Sequence, residues 1–276
     1  MSTIGRPEAL QRFLTSLEQQ NQSYFVTLVE QSTERSCEPL LAGLVAAGNA
    51  EYIHEPAVRG LSRGRNRGLE TVRGLYVAFP DDDCWYPEDV LSEIAAHLAF
   101  AAPAIDGLSV ILTAPEGKAN LLRWLDVPAD ITPQLIPRTV TSATLFLSAA
   151  VVEAVGGFDV ELGSGSGTKF GAGEETDFVL RALAAGARLR YTPECAVFHA
   201  EWRDEGPVDA IRAKVRRYNR GFGRVLRKHD RRGEFLYWSG RSLAGVVISS
   251  ARLDRRGAQH QFDQLVGRVQ GWSARR

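Results

Sequence analysis

Three consecutive aspartates, Asp81, Asp82 and Asp83, follow an apolar run in the segment FPDDDCWYP. Like charges a few ångströms apart repel by about 1 kcal/mol per pair even in bulk water. Either this turn is open to solvent and the cluster is incidental, or the aspartates hold a cation. Mg²⁺ and Mn²⁺ prefer carboxylate oxygens and commonly bind one or two carboxylates together with the phosphates of a substrate. The triplet is therefore a candidate site for a hard divalent cation.

Further polar groups with chemical potential lie elsewhere in the chain. Glu174, Glu175 and Asp177 fall in the first turn of a predicted helix, where acids either serve a site or simply offset the helix dipole. His199 ends a predicted strand, and it is either a ligand or a hydrogen-bonded strand-end histidine. The segment SRGRN, which contains Arg65, either lines a pocket or is a solvated loop. Each of these signals is weak alone, and the functional interpretation depends on their order and spacing taken together.

The elements that must position these groups alternate along the first half of the chain. Apolar runs predict strands at 24–29, near 51–53, at 75–79 and at 107–113. Helices are predicted from Pro7, over about 38–47, in the glycine-rich segment 60–74, and from Pro87. This alternation predicts an α/β fold with a largely parallel, doubly wound sheet. Ligands of such sheets bind beyond the carboxyl ends of the strands, and the aspartates follow one of those ends.

The second half begins with a strand, a helix and a glycine stop within 141–159. The Gly- and Ser-rich segment 161–173 predicts a mobile loop. A helix is predicted from Glu174 to Gly186, and RLRYTPECAVFH predicts two short strands. From Pro207 the pattern is helical and basic.

Composition limits the class of protein and its compartment. Hydrophobic residues make up 44% and charged residues 24% of the 276 residues, as in ordinary globular proteins. No apolar stretch approaches the roughly 20 residues of a membrane-spanning helix, and MSTIGRPEAL lacks the features of a secretory signal. The three cysteines form no CxxC pair. We therefore expect a reducing compartment, most simply the cytoplasm.

The zero net charge hides a strong asymmetry. Residues 1–200 hold 15 Lys and Arg against 25 Asp and Glu, whereas residues 201–276 hold 18 against 8. In the basic segment, one helical face carries apolar residues: Ile211, Val215, Tyr218, Phe222, Val225 and Leu226. That face either packs on the acidic part of the chain or belongs to a surface helix pair that touches anionic lipid or a lipid-linked acceptor. The acidic body disfavours nucleic-acid binding.

The order of the motifs resembles that of family 2 glycosyltransferases with the GT-A fold. The resemblance spans roughly residues 1–200 and rests on STIGRPEAL, FVTLVEQS, RGLSRGRNRGL, VAFPDDDCWYPEDVL, GGFD, GAGEETDFVLRAL and VFH. It implies a GT-A, Rossmann-like, mostly parallel central sheet flanked by helices, with a C-terminal helical extension. It also implies metal-dependent, inverting transfer of a sugar from a nucleoside diphosphate to an acceptor hydroxyl. The implied cofactor is Mn²⁺ or Mg²⁺.

The same resemblance assigns roles by position. Donor-nucleotide contacts are implied for Thr3, Glu30, Arg65, Asn66, Asp81 and Asp82. Metal contacts are implied for Asp83, Asp81 and His199. The catalytic pair is Glu174 and Glu175, of which the second is the expected general base and the first binds acceptor or supports its loop. Gly173 and Asp177 are placed on the acceptor side.

Three departures from the family pattern stand out. The chain begins at the motif that a first strand should precede, so that strand is missing or the true start lies upstream. Glu30 and Glu175 each stand where the family usually has Asp, which changes the reach of the carboxylate by one methylene.

The expected domains are a catalytic domain over 1–205 and a basic helical extension over 206–276. Within the first, residues 1–115 would bind the nucleotide and 116–205 the acceptor. The expected partners are a UDP-sugar, a glycan or lipid-linked acceptor of cell-surface polysaccharide or glycolipid synthesis, and peripherally the inner face of an anionic membrane. Two alternatives remain open: a non-catalytic sugar-nucleotide-binding protein, and an aspartate-nucleophile phosphatase, which would want Ser or Thr where Cys84 and Trp85 stand.

Overall fold

The computed structural model describes residues 1–200 and 206–274. The chain divides into two compact units: the first comprises 1–158 and 178–202, and the second comprises 159–177 and 203–276. The segment 159–177 thus belongs with the C-terminal helices. The expected boundary at 205 falls within 201–205, which lie outside the described residues, and the functional division into 1–205 and 206–276 stays a prediction.

The first unit opens with a small parallel sheet. Its strands lie in the order β1 (Ser2–Thr3), β2 (Val26–Glu30) and β3 (Ala50–His54). The helices that connect or follow them are α1 (Pro7–Leu17), α2 (Glu38–Ala46) and α3 (Leu61–Leu69). The apolar residues predicted for one face of α1 are all buried: Leu10, Phe13, Leu14 and Leu17.

At the place where the sequence predicted either a missing strand or a start farther upstream, Ser2 and Thr3 form the short strand β1. Ser2 pairs with Val29 and Thr3 pairs with Glu30, in parallel register. The backbone N–H of Val29 also donates to the carbonyl of Met1 at 3.0 Å. Two residues suffice to place Thr3 beside Glu30 at the carboxyl end of β2.

A second sheet of six strands completes the first unit. Its strands are β4 (Tyr76–Ala78), β5 (Cys84–Trp85), β6 (Gly107–Thr113), β7 (Ala129–Asp130), β8 (Leu145–Ser148) and β9 (Leu189–His199). The order is β4-β8-β6-β9-β5, with β7 paired to β9. β6 and β9 run parallel, and the other pairs of this sheet are antiparallel. The helices in this region are α4 (Val90–Phe100), α5 (Ile136–Thr139) and α6 (Ala149–Val155).

Two predicted boundaries were wrong for identifiable reasons. α4 begins at Val90 rather than at Pro87, because Asp89 has a left-handed backbone with φ of 58° that cannot continue a helix. The segment RLRYTPECAVFH forms one strand, β9, instead of two. Its register with β6 jumps from Thr192 to Ala196, so Pro193, which has no N–H to donate, lies in a bulge within a continuous strand.

Among its described residues, the second unit consists mainly of helices and the loop 159–173. Its helices are α7 (Glu174–Ala184), which begins in this unit and ends in the first, then α8 (Val208–Lys228), α9 (Arg232–Ala251) and α10 (Arg255–Trp272). The loop, predicted to be mobile, is packed: Leu162 and Phe170 are buried, and Gly163 N–H donates to the Phe170 carbonyl at 3.1 Å.

The basic segment forms three helices, of which α8 and α10 pack closely. A Cβ at Gly223 would lie 2.1 Å from the Arg268 carbonyl oxygen, and a Cβ at Gly271 would lie 2.0 Å from that of Arg220. Glycine therefore allows the two backbones to touch. Val225 and Leu226, on the predicted apolar face of α8, are buried. Within the described residues, no helix is long and apolar enough to cross a membrane.

Candidate active site

The acidic turn follows β4, as the strand pattern predicted, and it leads into β5, which was not predicted. Pro80 follows the end of β4, and the backbone N–H of Cys84 donates to the carbonyl of Asp81 at 3.1 Å, which closes the turn. The Asp82 side chain is buried, while those of Asp81 and Asp83 are each 35% exposed. The turn thus presents two carboxylates to solvent and keeps one inside.

Two arginines make this cluster of acids tolerable. Arg6 contacts Asp82 through a very short ion pair, and its Nη1 donates to Asp83 Oδ2 at 2.8 Å. The buried Arg65 donates from Nη2 to Asp81 Oδ1 at 2.7 Å and to Ser142 Oγ at 2.7 Å. Sequence analysis missed Arg6, because a single arginine in GRP, far from the turn in sequence, gives no signal of this contact.

Asp82 is the internal member of the triplet. Its side chain accepts hydrogen bonds from Thr3 Oγ1 and Arg6 Nε. Burial raises the pKa of Asp82 above its ordinary value, although the contacts with Thr3 and Arg6 oppose that rise. Thr3 and Asp82, both expected at the donor nucleotide, therefore bind each other and fix the turn to β1.

Strand pairing brings His199 to the same turn. Cys84 in β5 lies directly opposite His199 in β9, so the His199 side chain lies near the end of the acidic turn. His199 Nδ1 lies 2.5 Å from the Ala200 carbonyl, to which it would donate, and Nε2 lies 3.6 Å from Asp83 Oδ1. The ligand atoms of Asp83, Cys84 and His199 all lie within 4.8 Å of one another.

The Cys84 thiol is the least suitable ligand of these three. It is buried, and burial together with the neighbouring aspartates raises its pKa well above the ordinary value. Metals bind the thiolate form of cysteine, so the protonated thiol is a poor donor for a hard cation. Asp83 and His199 are the groups here that fit a divalent ion.

The predicted Arg–Asn pair has two different environments. Arg65 holds Asp81, as described above, and its guanidinium lies 5.4 Å from the centre of the Phe158 ring. Asn66 clamps the backbone of Phe158: its Nδ2 donates to the Phe158 carbonyl at 2.9 Å, and its Oδ1 accepts from the Phe158 N–H at 2.6 Å. Asn66 thus fixes the chain that follows α6.

Glu30 lies at the carboxyl end of β2 and is fully buried. Oε1 accepts from Ser32 Oγ at 2.6 Å and from Ser36 Oγ at 3.1 Å, whereas Oε2 accepts from Tyr52 Oη at 2.7 Å and from Cys37 N–H at 3.2 Å. Burial acts to raise the pKa of Glu30, but these hydrogen bonds outweigh it and hold the pKa below its ordinary value. The carboxylate organises the loop 32–37 from inside.

Glu30→Gln is expected to destabilise the protein by about 1–3 kcal/mol. The carboxylate accepts hydrogen bonds at both oxygens, whereas the amide would turn an N–H group towards some of the same donors. Urea unfolding at neutral pH measures this loss. Since the folded pKa of Glu30 is depressed, its stabilisation is present above the ordinary value and is lost as pH falls through the folded pKa. The difference between the two proteins should therefore shrink in acid, and a constant difference would contradict this account.

The predicted catalytic helix starts in the second unit. Glu174 is buried, Glu175 is half-buried, and both lie in the first turn of α7. Gly173 precedes them with φ of 97°, a backbone conformation that side chains other than glycine adopt with strain. Of the two glutamates, Glu175 has the more accessible side chain.

Asp177, expected on the acceptor side, is fully buried in the second unit. Its carboxylate lies 2.8 Å from Lys228 Nζ and 2.8 Å from His229 Nε2, at the end of α8. Lys228 also contacts Asp159 at 2.7 Å. These charges tie the start of α7 to the C-terminal helices.

The loop before α7 rests directly on α8. Gly171 N–H donates to the Arg217 carbonyl at 3.2 Å. A Cβ at Gly221 would lie 2.0 Å from the carbonyl oxygen of Ala172, so no larger residue fits there without a backbone shift. Nothing in the sequence signalled this contact, since helical glycines are read as weak points rather than as contact points.

Curated relatives with a described activity match part of the chain. The pre-mycofactocin glycosyltransferases of two Mycobacterium tuberculosis strains are each 31% identical over 163 residues, which cover 54% of this chain and 32% of the relative. The chain therefore spans about a third of the length of these relatives.

Solved structures share the fold. The mannosyltransferase PcManGT from Pyrobaculum calidifontis, solved with GDP-Man and Mn²⁺, superposes with a TM-score of 0.68 at 14% identity, covering 98% of this chain and 85% of that one. Residues 1–349 of S. aureus TarS with UDP-GlcNAc give a TM-score of 0.64 at 16% identity, with 94% and 88% covered. Longer TarS gives 0.60 at 17% identity, with 83% of this chain and 42% of that chain covered. These likenesses confirm the expected GT-A type of α/β fold with C-terminal helices.

The family itself is shown by sequence. The model of glycosyl transferase family 2 matches residues 1–145, which is more than half of the chain and includes both arginines and all three aspartates of the turn. The chain therefore belongs to glycosyl transferase family 2.

Proposed function

We propose that the protein transfers a sugar from a nucleoside diphosphate to an acceptor hydroxyl, with inversion at the sugar carbon and with a divalent metal ion. The observation that carries the proposal is the convergence of Asp83 and His199 beside the acidic turn, with Asp83 Oδ1 and His199 Nε2 3.6 Å apart. Family membership supports the same reaction.

The residues of the turn fit a divalent ion. Asp83 supplies a partly exposed carboxylate, and the contact between His199 Nδ1 and Ala200 favours the tautomer in which Nε2 has a free lone pair. The partly exposed Asp81 carboxylate is paired with Arg65 and is not in this cluster of ligand atoms, so its metal contact stays a proposal from the resemblance. Mn²⁺ or Mg²⁺ bound here would neutralise charge on the departing diphosphate.

Arg6 and Arg65 hold the carboxylates of this site in place. Arg6 contacts Asp83 and Arg65 contacts Asp81, so both side chains have a defined position before the donor binds. Because Asp82 and Glu30 are buried and already hydrogen-bonded, we assign both to holding the donor site from inside. Thr3 and Asn66 act in the same way, through their contacts with Asp82 and Phe158.

We assign the general base to Glu175. The acceptor hydroxyl must lose a proton as it attacks, and a positioned carboxylate can accept it. Adjacent helical residues point about 100° apart, so Glu174 and Glu175 cannot present their carboxylates in the same direction. Glu174 is buried and Glu175 is half-buried, which favours Glu175 as the group that meets the acceptor. Glu174 then supports the loop.

The second unit positions this base. The contacts of Gly171 and Ala172 with α8 fix the loop, and the contacts of Asp177 with Lys228 and His229 fix the first turn of α7. We therefore assign Asp177 to positioning, and Gly173 to the turn that lets the helix start there.

The sugar nucleotides bound by two solved neighbours support a proposal for the donor class. TarS is solved with UDP-GlcNAc and PcManGT with GDP-Man, and we propose a UDP-sugar as donor for this chain. The acceptor is a glycan or lipid-linked hydroxyl in cell-surface polysaccharide or glycolipid synthesis. All three cysteines are free and buried, which agrees with a proposed location in the cytoplasm, peripheral to the inner face of the membrane.

UDP is expected to stabilise the protein only when a divalent cation is present. At 100 times its dissociation constant, a ligand of the folded state adds about 2.7 kcal/mol to the free energy of unfolding. Thermal unfolding with UDP and Mn²⁺, with UDP and EDTA, and with Mn²⁺ alone measures this. Asp83→Asn should abolish the cation-dependent part, whereas Asp130→Asn, at an exposed position, should keep it.

Equal stabilisation by UDP in EDTA would contradict the metal site. Release of sugar from UDP-sugars, followed with and without added acceptors, then separates an enzyme from a binding protein. Cation-dependent binding with neither transfer nor donor hydrolysis across a panel of donors would favour the non-catalytic alternative.

A further inference from the structure

Helix α9 of the second unit exposes large apolar side chains. Between 52% and 68% of the surface of each lies open to solvent: Leu236, Tyr237, Leu243, Val247 and Ile248. Contiguous exposed apolar patches of this kind mark sites of interaction with another molecule or a membrane. Sequence analysis missed them, because it assigned the apolar face of the basic segment to α8.

These residues form one face of the helix. Leu236, Leu243 and Val247 stand at i, i+7 and i+11, and Tyr237 and Ile248 form a parallel row at i and i+11. Exposed Gly240, Ala244 and Ala251 fill the rows between them. At 100° per residue, exposed Arg232 and Arg241 fall on the two opposite edges of this apolar face.

The face carries no acid along the whole of α9, every residue of which is described. The one acidic residue of the helix, Glu234, has a side chain that is 15% exposed and pairs with Arg231. Beyond the end of the helix, exposed Arg252, Arg255 and Arg256 add further positive charge, beside exposed Asp254. The surface is thus apolar in the middle and basic at its margins.

The opposite face of α9 already provides the internal packing. Phe235 stacks on Trp272 with ring centres 4.4 Å apart, Trp238 meets Phe222 at 6.4 Å, and Ser242 is buried. The fold of the unit therefore does not use the outer face. Both the inner and the outer face of α9 are therefore apolar, and a large exposed apolar face normally has an occupant, so an external one is expected.

We infer that the outer face of α9 lies against the surface of an anionic lipid bilayer. Leucine, valine and tyrosine side chains can enter the boundary between headgroups and acyl chains, while arginines keep their guanidinium groups among anionic headgroups. A second copy of the same face would bring arginine edges together, which disfavours self-association. The helix lies on the membrane and does not cross it. This inference is independent of glycosyl transfer, because none of the residues assigned to that reaction lies in α9.

Co-sedimentation with vesicles tests the inference on the full chain. Vesicles of phosphatidylcholine with roughly 30% phosphatidylglycerol are compared with phosphatidylcholine alone at low and high salt. We expect the anionic vesicles to bind at least about tenfold more tightly, with the advantage falling as salt rises. Each of Arg232→Gln and Arg241→Gln should weaken binding about fivefold, the contribution of one arginine near an anionic surface.

The apolar face is tested by Leu243→Glu with Val247→Glu, which places two carboxylates in its centre. This pair should lose binding to anionic vesicles, whereas Leu75→Glu, at a residue of the first unit that is 85% exposed, should not. Circular dichroism and urea unfolding show that each variant is folded. Folded variants that still bind like the unchanged chain would overturn the inference, as would equal binding to both kinds of vesicle.

Light scattering addresses the competing occupant. A monomer at micromolar concentration agrees with a lipid-binding face. A dimer that Leu243→Glu with Val247→Glu dissociates would overturn the inference and assign the face to a second copy of this chain.

Discussion

Glu175→Gln is expected to lower the rate of sugar transfer by about 10²–10⁴-fold, because the amide keeps the size of the side chain but cannot accept a proton. Binding of UDP and Mn²⁺ should stay nearly unchanged, since the residues assigned to both belong to the first unit. Initial rates at saturating donor, together with thermal shifts by UDP and Mn²⁺, separate these two effects. The pH profile adds a further check, because the acid limb of the rate reports the base that must be ionised.

Two controls make the assignment of the base specific. Glu153→Gln, at an exposed position of α6, should leave transfer unchanged. Glu174→Gln should lower it less than Glu175→Gln, through a disturbed loop. An inactive Glu174→Gln with an active Glu175→Gln would move the base by one residue, and full activity of both would remove the base from this helix.

Gly221→Ala is expected to lower transfer by about 10²-fold although residue 221 belongs to a C-terminal helix. A Cβ there would lie 2.0 Å from the Ala172 carbonyl oxygen and 2.9 Å from its carbonyl carbon and amide nitrogen, so the backbone of the loop must move. A displacement of about 1 Å at a reacting group can cost about 10²-fold in rate. Overpacking of this kind also costs about 1–3 kcal/mol of stability, which urea unfolding measures.

Separate measurements of kcat and of the affinity for UDP and Mn²⁺ distinguish a misplaced base from general damage to the fold. We expect kcat to fall while the affinity for UDP and Mn²⁺ is kept. Gly240→Ala is the matched control, because a Cβ there has no atom within 4 Å in the described structure and alanine favours a helix. Unchanged kcat in folded Gly221→Ala, or an equal loss in Gly240→Ala, would show that α8 does not position the base.

The local pattern of apolar residues correctly predicted elements whose own sequence shows which side chains are buried. The apolar run at 107–113 is β6 with the predicted bounds, and the apolar residues of α1 are buried as expected. β5 was not predicted, because Cys84 and Trp85 form a strand only by pairing with β9, more than a hundred residues later. Two residues in a polar turn have no periodicity from which to predict a strand.

The roles of the candidate site residues stay predictions, and the contacts among these residues were not predicted. The resemblance selected Asp83 and His199, and strand pairing places them 3.6 Å apart. The resemblance gave no reason to expect the ion pair between Arg6 and Asp82, or the four hydrogen bonds that the Glu30 carboxylate accepts. Contacts of this kind depend on tertiary packing, and spacing along the chain does not encode them.

The second unit is formed by two segments that are separate in the sequence, which affects the order of folding. Asp177 and its partner His229 are 52 positions apart, and the chain between them passes through the first unit over 178–202. During synthesis, the loop before α7 leaves the ribosome well before the helix on which it rests. Contacts so distant in sequence form late, because the entropy of closing the chain between them is lost before these contacts can stabilise the fold. We therefore expect a nascent chain that ends before residue 229 to fold the sheets of the first unit while the segment carrying Glu175 still lacks its contacts with α8.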